Sequence, residues 1–411
     1  MSGPDSITSA EAARGPQDPA APTGAQPPVI VIADDWGRHV STTQHLFRRI
    51  VRSHDVIWVN SFGHRRPQLT WYDFRRALSK VAKMVSARKA PPTDGEGPRL
   101  IINPRALPWH NIEWVRRWNR GVVLAEVQRA LAAVAPGRTP IFVTATPLGA
   151  DLVGAFGERA AVYLCLDDYD QLPGVERNLL VPYEARLLAR VDATIATAES
   201  LTHSKRPASG RTLHLPQGVN YAHFATPREA PPELANLPRP IIGFAGGVGP
   251  VIDRGLLQAV RDRFPSASIV LVGMHQEEID PAAWPEGTHF LGARSYDVLP
   301  AYVQAFDVGL VPYVHNAHTA AVDPLKVLEY LAAGIPVVST GLREVQKYAT
   351  VVEVADGGAA FADAVARALD ARTPADRDAR QAVAAKHTWE QRVQTFLGYI
   401  DDLPPRAITA V

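Results

Sequence analysis

Short apolar runs alternate with amphipathic stretches from residue 28 almost to the end of the chain, and no other feature restricts the fold as strongly. "PVIVIAD" (28–34) is nearly continuous in apolar residues, the pattern of a strand buried on both faces. "STTQHLFRRIVRS" (41–53) follows at helical spacing, with Ser41 or Thr42 as its N-cap. The alternation continues through strands at 55–61, 99–103, 140–145, 161–168, 192–198 and 211–216. Helices are expected at 71–88, 111–135, 148–156 and 176–189. Strand–helix alternation of this kind specifies a parallel sheet built from right-handed crossovers.

The pattern breaks once, at "ATPREAPPELANLPRP" (225–240), whose proline and polar content reads as a linker. It then restarts, with strands at 241–247, 268–273, 289–292, 307–313, 335–340 and 350–355 and helices at 253–263, 295–305 and 358–370. A last amphipathic helix is expected over 388–403. The chain of 411 residues is too long for one core. The organisation is therefore α/β, with two Rossmann-like domains: a tail at 1–27, a first domain at 28–224, a linker at 225–240, a second domain at 241–386 and a terminal helix and tail at 387–411. Ligands in such sheets bind at the carboxyl ends of the strands, so the cleft between two facing domains is the expected site.

Composition removes several function classes. The 43 basic and 42 acidic residues leave a net charge of +1, without the basic excess of a nucleic-acid binder. A single cysteine, Cys165, rules out an internal disulfide and a cysteine-rich metal site, and fits a reducing cytosol. No apolar run reaches the roughly 18 residues that span a bilayer, and the proline-rich N-terminus lacks a signal-peptide pattern. A cytoplasmic protein is expected.

The most informative stretch is "DPLKVLEYLAAGIPVVSTGLREV" (323–345). Asp323 is expected as N-cap and Pro324 as the first helical residue. Leu325, Leu328, Leu331 and Ala332 recur at helical spacing as a core face, which puts Lys326 and Glu329 together on the other face. Gly334 then ends the helix in a left-handed conformation. A helix N-terminus with a lysine beside it suits a diphosphate. A carboxylate one turn further on can accept from both hydroxyls of a ribose. The plain alternative is an exposed ion pair worth a few tenths of a kcal/mol. The loop "VPYVHNAHTAAV" (311–322), which leaves a strand end just before the helix, favours the ligand.

"DPLKVLEYLAAGIPVVST" (323–340) resembles the donor-binding segment of GT-B glycosyltransferases, in particular families 1 and 4 and the bacterial exopolysaccharide and cell-wall branch. "VYLCLDDYDQLPG" (162–174), "YEARLLARVDATIATAESL" (183–201), "LPQGVNYAHF" (215–224), "IIGFAGGVGPVID" (241–253) and "HTWEQRVQTFL" (387–397) agree in order, so the resemblance covers roughly residues 28–402. It implies two Rossmann-like domains, a nucleotide-sugar donor held by the second, an acceptor on the first, and a final helix that crosses back to the first. It makes Glu329 the ribose-binding glutamate and Lys326 a lysine near the donor phosphates. Retaining relatives carry a paired glutamate eight positions earlier, where this chain has Ala321. They also carry an Arg and a Lys after the first strand of the second domain, where only Arg254 is basic here. Both departures favour an inverting enzyme or a rearranged retaining site.

An inverting transfer needs a general base. "CLDDYD" ends a buried strand and offers Asp167 and Asp168, of which Asp168 is preferred; capping of the loop is the alternative role. "ADDWGRHVS" (33–41) offers an acceptor loop with His39 as the rival base, although a lone histidine at a strand end is more often structural. "GFAGGVG" (243–249) is not a dinucleotide fingerprint; Gly246 and Gly247 either bring backbone close to the phosphates or form a tight turn. His318 and Thr319 are candidates to contact the sugar or phosphate. The histidines form no metal-ligand set, and no cofactor is expected beyond a UDP-, GDP- or dTDP-sugar as donor substrate. The acceptor is a glycan, a lipid-linked glycan or a small molecule.

Aromatic and basic residues mix in "WHNIEWVRRWNRG" (109–121) and "WYDFRRALSKVAKM" (71–84). Such faces can rest peripherally on anionic lipid at the inner face of the membrane. The simpler expectation is a solvated basic face with its aromatic side packed inward. The function expected is a metal-independent hexosyltransferase. A catalytically degenerate partner subunit and a nucleotide-sugar epimerase are the alternatives.

Overall fold

The computed structural model describes residues 26–38, 40–62, 97–107, 109–275 and 280–406. The helix expected at 71–88, residue His39 and most of the N-terminal tail lie outside the described residues. Among the described residues, the first sheet contains β1 (Val29–Ala33), β2 (Val56–Asn60), β3 (Leu100–Ile102), β4 (Ile141–Thr144), β5 (Ala160–Cys165), β6 (Ala193–Ala196) and β7 (Thr212–His214). Their order is β3-β2-β1-β4-β5-β6-β7, and every pairing is parallel. The second sheet contains β8 (Ile241–Ala245), β9 (Ser268–Val272), β10 (Thr288–Gly292), β11 (Val308–Val311), β12 (Val337–Ser339) and β13 (Glu353–Val354). Its order is β10-β9-β8-β11-β12-β13, again all parallel. Each sheet reverses its strand order once, between β1 and β4 and between β8 and β11, and at such points loops diverge and leave a crevice.

Strand periodicity sorts the first core into two layers. Ile30 and Ile32 face one cluster, with Phe142 and Tyr163; Val29, Val31 and Ala33 face the other, with Phe47 and Trp58. The second layer is closed by residues from the far end of the chain. The helix Trp389–Asp401, fixed at its start by a capping box of Thr388 and Gln391, places Trp389, Phe396 and Ile400 in that cluster. Arg49 and Glu390 pair at 2.6 Å, and Arg159 donates to the Ile400 carbonyl at 2.9 Å. The final helix therefore crosses back to the first domain.

Val219 and Phe224, within the stretch assigned from sequence to the first domain, pack in the core of the second, as does Leu234 of the short linker helix Pro232–Ala235. The helix Pro374–Ala384 was not expected from sequence. Its buried residues are Ala384, in the second-domain core, and Arg380, which donates to the carbonyls of Gly334 at 3.0 Å and Ala371 at 2.9 Å.

One expectation about packing is overturned. On the helix Glu113–Val134, Val115, Val123 and Val127 face the core, but the aromatic side is not packed inward: Trp114 and Trp118 are 63% and 58% exposed. The inward stripe is already filled by valines, and the tryptophans fall on the opposite side.

Among the described residues, no helix is long and apolar enough to cross a membrane.

Candidate functional site between the two sheets

The second-domain half of the site is built on the helix Leu325–Ala333. Its C-terminus closes as expected. Gly334 takes φ +77°, its N–H donates to Leu331 at 3.0 Å, and the Ile335 N–H donates to Tyr330 at 3.1 Å. Its N-terminus differs from expectation. Pro324 is the N-cap and has no side chain to donate or accept there, because the Asp323 carboxylate is used elsewhere. It accepts from the Gln217 N–H at 2.9 Å and from Lys347 Nζ at 3.1 Å. That side chain ties the helix to the segment leaving the first domain. Glu344 does the same one turn before Lys347: it accepts from the Glu199 N–H at 2.7 Å, while Arg343 pairs with the Glu199 carboxylate at 2.8 Å.

The helix is buried on nearly all sides, so Lys326 and Glu329 do not form a solvated pair, and no ion pair joins them. Lys326 reaches the crevice between β8 and β11. Its ammonium donates to the Tyr313 hydroxyl and lies 5.1 Å from the Phe244 ring centroid and 4.8 Å from that of Tyr313. A Cβ added to Gly246 would stand 2.8 Å from Lys326 Cε, so the lysine lies directly on the glycine turn after β8. Glu329 is 7% exposed and has no hydrogen-bond or ion-pair partner among the described residues. Burial pushes its carboxyl up to about 7, with Lys326 pulling the other way. A buried carboxyl without donors is costly unless something supplies them. Next to it, burial and then the Glu329 charge raise the Tyr296 hydroxyl.

The glycine turn owes its shape to two backbones in contact. Gly246 donates to Val272 at 2.8 Å, and Gly273 donates to Gly292 at 2.9 Å. A Cβ on Gly273, whose φ is +155°, would come within 1.7 Å of the Gly246 carbonyl oxygen. Gly273→Ala is therefore expected to displace residues 246–249 and weaken anion binding at Lys326 by about tenfold; titration calorimetry with UDP checks this. Gly247 follows in the same turn, half-buried.

The remaining second-domain candidates divide. Arg254 opens the helix Arg254–Arg263 and stacks 4.6 Å over the Trp284 ring. The Thr319 hydroxyl is occupied with its own loop, donating to Val314 at 2.6 Å and accepting from the Asn316 N–H at 3.0 Å. His318 points a buried Nδ1 at no partner. Ala321 packs into the first-domain core.

On the first-domain side, Asp34 follows β1 and accepts from Ser41 Oγ at 2.9 Å and from Gln44; burial raises its pKa. The two aspartates after β5 have different surroundings. Asp168 pairs at 2.7 Å with Lys205, which also pairs at 2.7 Å with the buried Glu184. Asp167 has no such partner among the described residues. Burial raises its pKa, and the strongest opposing influence is His318, from the second domain. The adjacent carboxylates thus point different ways, as alternation along an extended segment requires, and it is Asp167 that faces the opposite domain.

Sequence reasoning missed the Lys205–Glu184–Asp168 cluster and the Lys347–Asp323–Glu344 cluster. Both join residues far apart in the chain, and single charged residues give no signal of such partners.

Residues 240–371, which carry the glycine turn, Lys326 and Glu329, match the family described as Glycosyl transferases group 1. A putative teichuronic acid biosynthesis glycosyltransferase of Bacillus subtilis strain 168, TuaH, is 28% identical over 182 residues, 42% of this chain and 46% of that protein. The match thus spans less than half the length of that relative. Among solved structures, Anabaena Alr3699/HepE in complex with UDP and glucose superposes with a TM-score of 0.62 at 13% identity, over 92% of this chain and 100% of that one. Sucrose-phosphate synthase from Thermosynechococcus elongatus gives 0.61 at 17% identity, over 92% and 99%. The E. coli trehalose-6-phosphate protein bound with UDP-2-fluoro glucose gives 0.59 at 13% identity, over 92% and 100%. The fold is GT-B, two Rossmann-like domains facing across a cleft, and residues 240–371 of its second domain are similar to the group 1 glycosyl transferases.

Proposed function

We propose that the protein is a glycosyltransferase that moves a hexosyl group from a nucleoside diphosphate sugar to a hydroxyl of a glycan acceptor, on the cytoplasmic side where such donors are available. One observation carries the reading: Glu329 is a buried carboxyl with no donor among the described residues, one helical turn from a lysine that lies on a glycine turn. Two ribose hydroxyls would satisfy the carboxylate. Lys326 and the backbone at Gly246 and Gly247 would then face the diphosphate. The UDP and UDP-2-fluoro glucose bound in two similar structures support uridine as the base.

In the reaction, the acceptor oxygen bonds to the anomeric carbon as the bond from that carbon to the diphosphate oxygen breaks. The acceptor proton passes to Asp167. The charge that develops on the leaving diphosphate is met by Lys326, so a divalent metal is not needed for that role. With Ala321 in place of a second carboxylate and a base on the opposite wall, the geometry suits inversion.

Calorimetry with UDP, GDP, dTDP and ADP tests the donor site. UDP is expected to bind selectively, with Glu329→Ala weakening it about tenfold or more, roughly 1.4 kcal/mol. The wild-type affinity should also rise with pH. Hydroxyl donors bind the ionised carboxyl, which is present above about 7 and lost below it, so each pH unit below that point costs up to about tenfold. Equal binding by Glu329→Ala at pH 8 would remove the ribose assignment.

A further inference from the structure

Among the described residues, the large apolar side chains that reach solvent are concentrated on one part of the first domain. Trp109 is 45% exposed, and Ile112, Trp114 and Trp118 are exposed beside it. Trp114 and Trp118 are four residues apart on the helix Glu113–Val134, one turn above the other. The next positions on that face, Gly121 and Ala125, are exposed and small. The helix therefore has two apolar sides, one of valines turned to the core and one of tryptophans turned to solvent. A group of exposed indoles this close together is unusual on a soluble monomer and marks a contact surface.

Charge identifies what the surface contacts. Residues 105–120 contain Arg105, Arg116, Arg117 and Arg120 against one acid, Glu113, a net of +3 in a chain whose total is +1. Arg105, Arg117 and Arg120 are exposed among the tryptophans. Indoles that combine an apolar ring with a polar N–H, surrounded by arginines, fit the boundary between acyl chains and anionic headgroups. The location is also specific. The segment leaves the carboxyl end of β3, where Asn60 donates to Asn103 at 2.6 Å, and Asn60 in turn accepts from the Trp36 N–H of the loop after β1 at 2.9 Å. The patch and that loop thus lie on the same rim, the first-domain edge of the cleft.

We infer that the Trp109–Trp118 surface docks the protein on an anionic phospholipid bilayer, with the first-domain rim of the cleft turned toward the lipid. This does not depend on the donor assignment, because neither Lys326 nor Glu329 takes part.

The test is flotation of the full-length protein with vesicles of phosphatidylcholine alone and of phosphatidylcholine with phosphatidylglycerol. Binding is expected to the anionic vesicles, to weaken as salt is raised, and to fall about tenfold or more in Trp114→Ser/Trp118→Ser. A single Arg117→Gln substitution, at an exposed side chain that pairs with Glu113 on the same helix, is expected to reduce binding to anionic vesicles in the same direction. Unchanged UDP affinity and melting temperature show that the variants are folded. Three results would overturn the inference: no binding to anionic vesicles, equal binding by the tryptophan variant, or a wild-type dimer that the tryptophan substitutions dissociate, which would make the face a contact between copies.

Discussion

Asp167→Asn is expected to lower the rate of sugar transfer by about 10²–10⁴-fold while changing UDP affinity by less than about twofold. Asparagine keeps the size and a hydrogen-bonding oxygen but cannot take a proton. Asp167 is the better candidate of the adjacent pair because its neighbour is already committed to Lys205. Its raised pKa, caused by burial before anything else, also makes it a stronger base than an exposed aspartate. Single-turnover transfer with a UDP-sugar reads the effect without interference from product release. Asp168→Asn is the informative control. It should act mainly on stability, through the loss of a buried partner for Lys205. If Asp167→Asn keeps a rate within threefold of wild type, the base lies elsewhere. Intact UDP binding without transfer in the wild-type protein would instead point to a binding subunit.

Lys205→Met is expected to destabilise the protein by about 3–5 kcal/mol at pH 8. The lysine is buried between Glu184 and Asp168, and Glu184 also accepts from the Tyr163 hydroxyl at 2.7 Å. Methionine fills the space but leaves two carboxylates without their cation. Burial lowers the Lys205 pKa, yet its bonds to Asp168 and Glu184 leave it raised overall. In the wild type, the contribution of this ammonium is therefore present below the ordinary lysine value and lost only as pH rises through the higher folded one. Urea unfolding at pH 8 measures the loss. A variant within about 1 kcal/mol of wild type would show that the ammonium is not needed between Glu184 and Asp168.

The alternating apolar runs were enough to place both sheets, because parallel strands buried on both faces leave a continuous signature. The Gly334 cap was legible for a similar reason: only glycine takes that conformation freely. What could not be read was how charges are used across the fold. Asp323 has the residue type and position of an N-cap, but its partners are Gln217 and Lys347. The burial of Glu329 was not legible either, because i,i+3 spacing says nothing about what covers that face of the helix. The helix Pro374–Ala384 was not legible because it buries only Ala384 and an arginine that donates to backbone carbonyls, too little for an apolar pattern. In the tryptophan segment, the sequence carries the residue types, and only the structure shows which side of the helix they occupy.

The last helix has a consequence for the order in which the protein can be made. Trp389, Phe396 and Ile400 belong to the same cluster as Val29 and Val31, so the first domain lacks part of its interior until almost the whole chain has left the ribosome. Domains usually fold in order of synthesis. Here the first domain completes its interior only after the second has been synthesised, and until then the side of the helix Thr42–Ile50 that carries His45 and Phe47 lacks its cover.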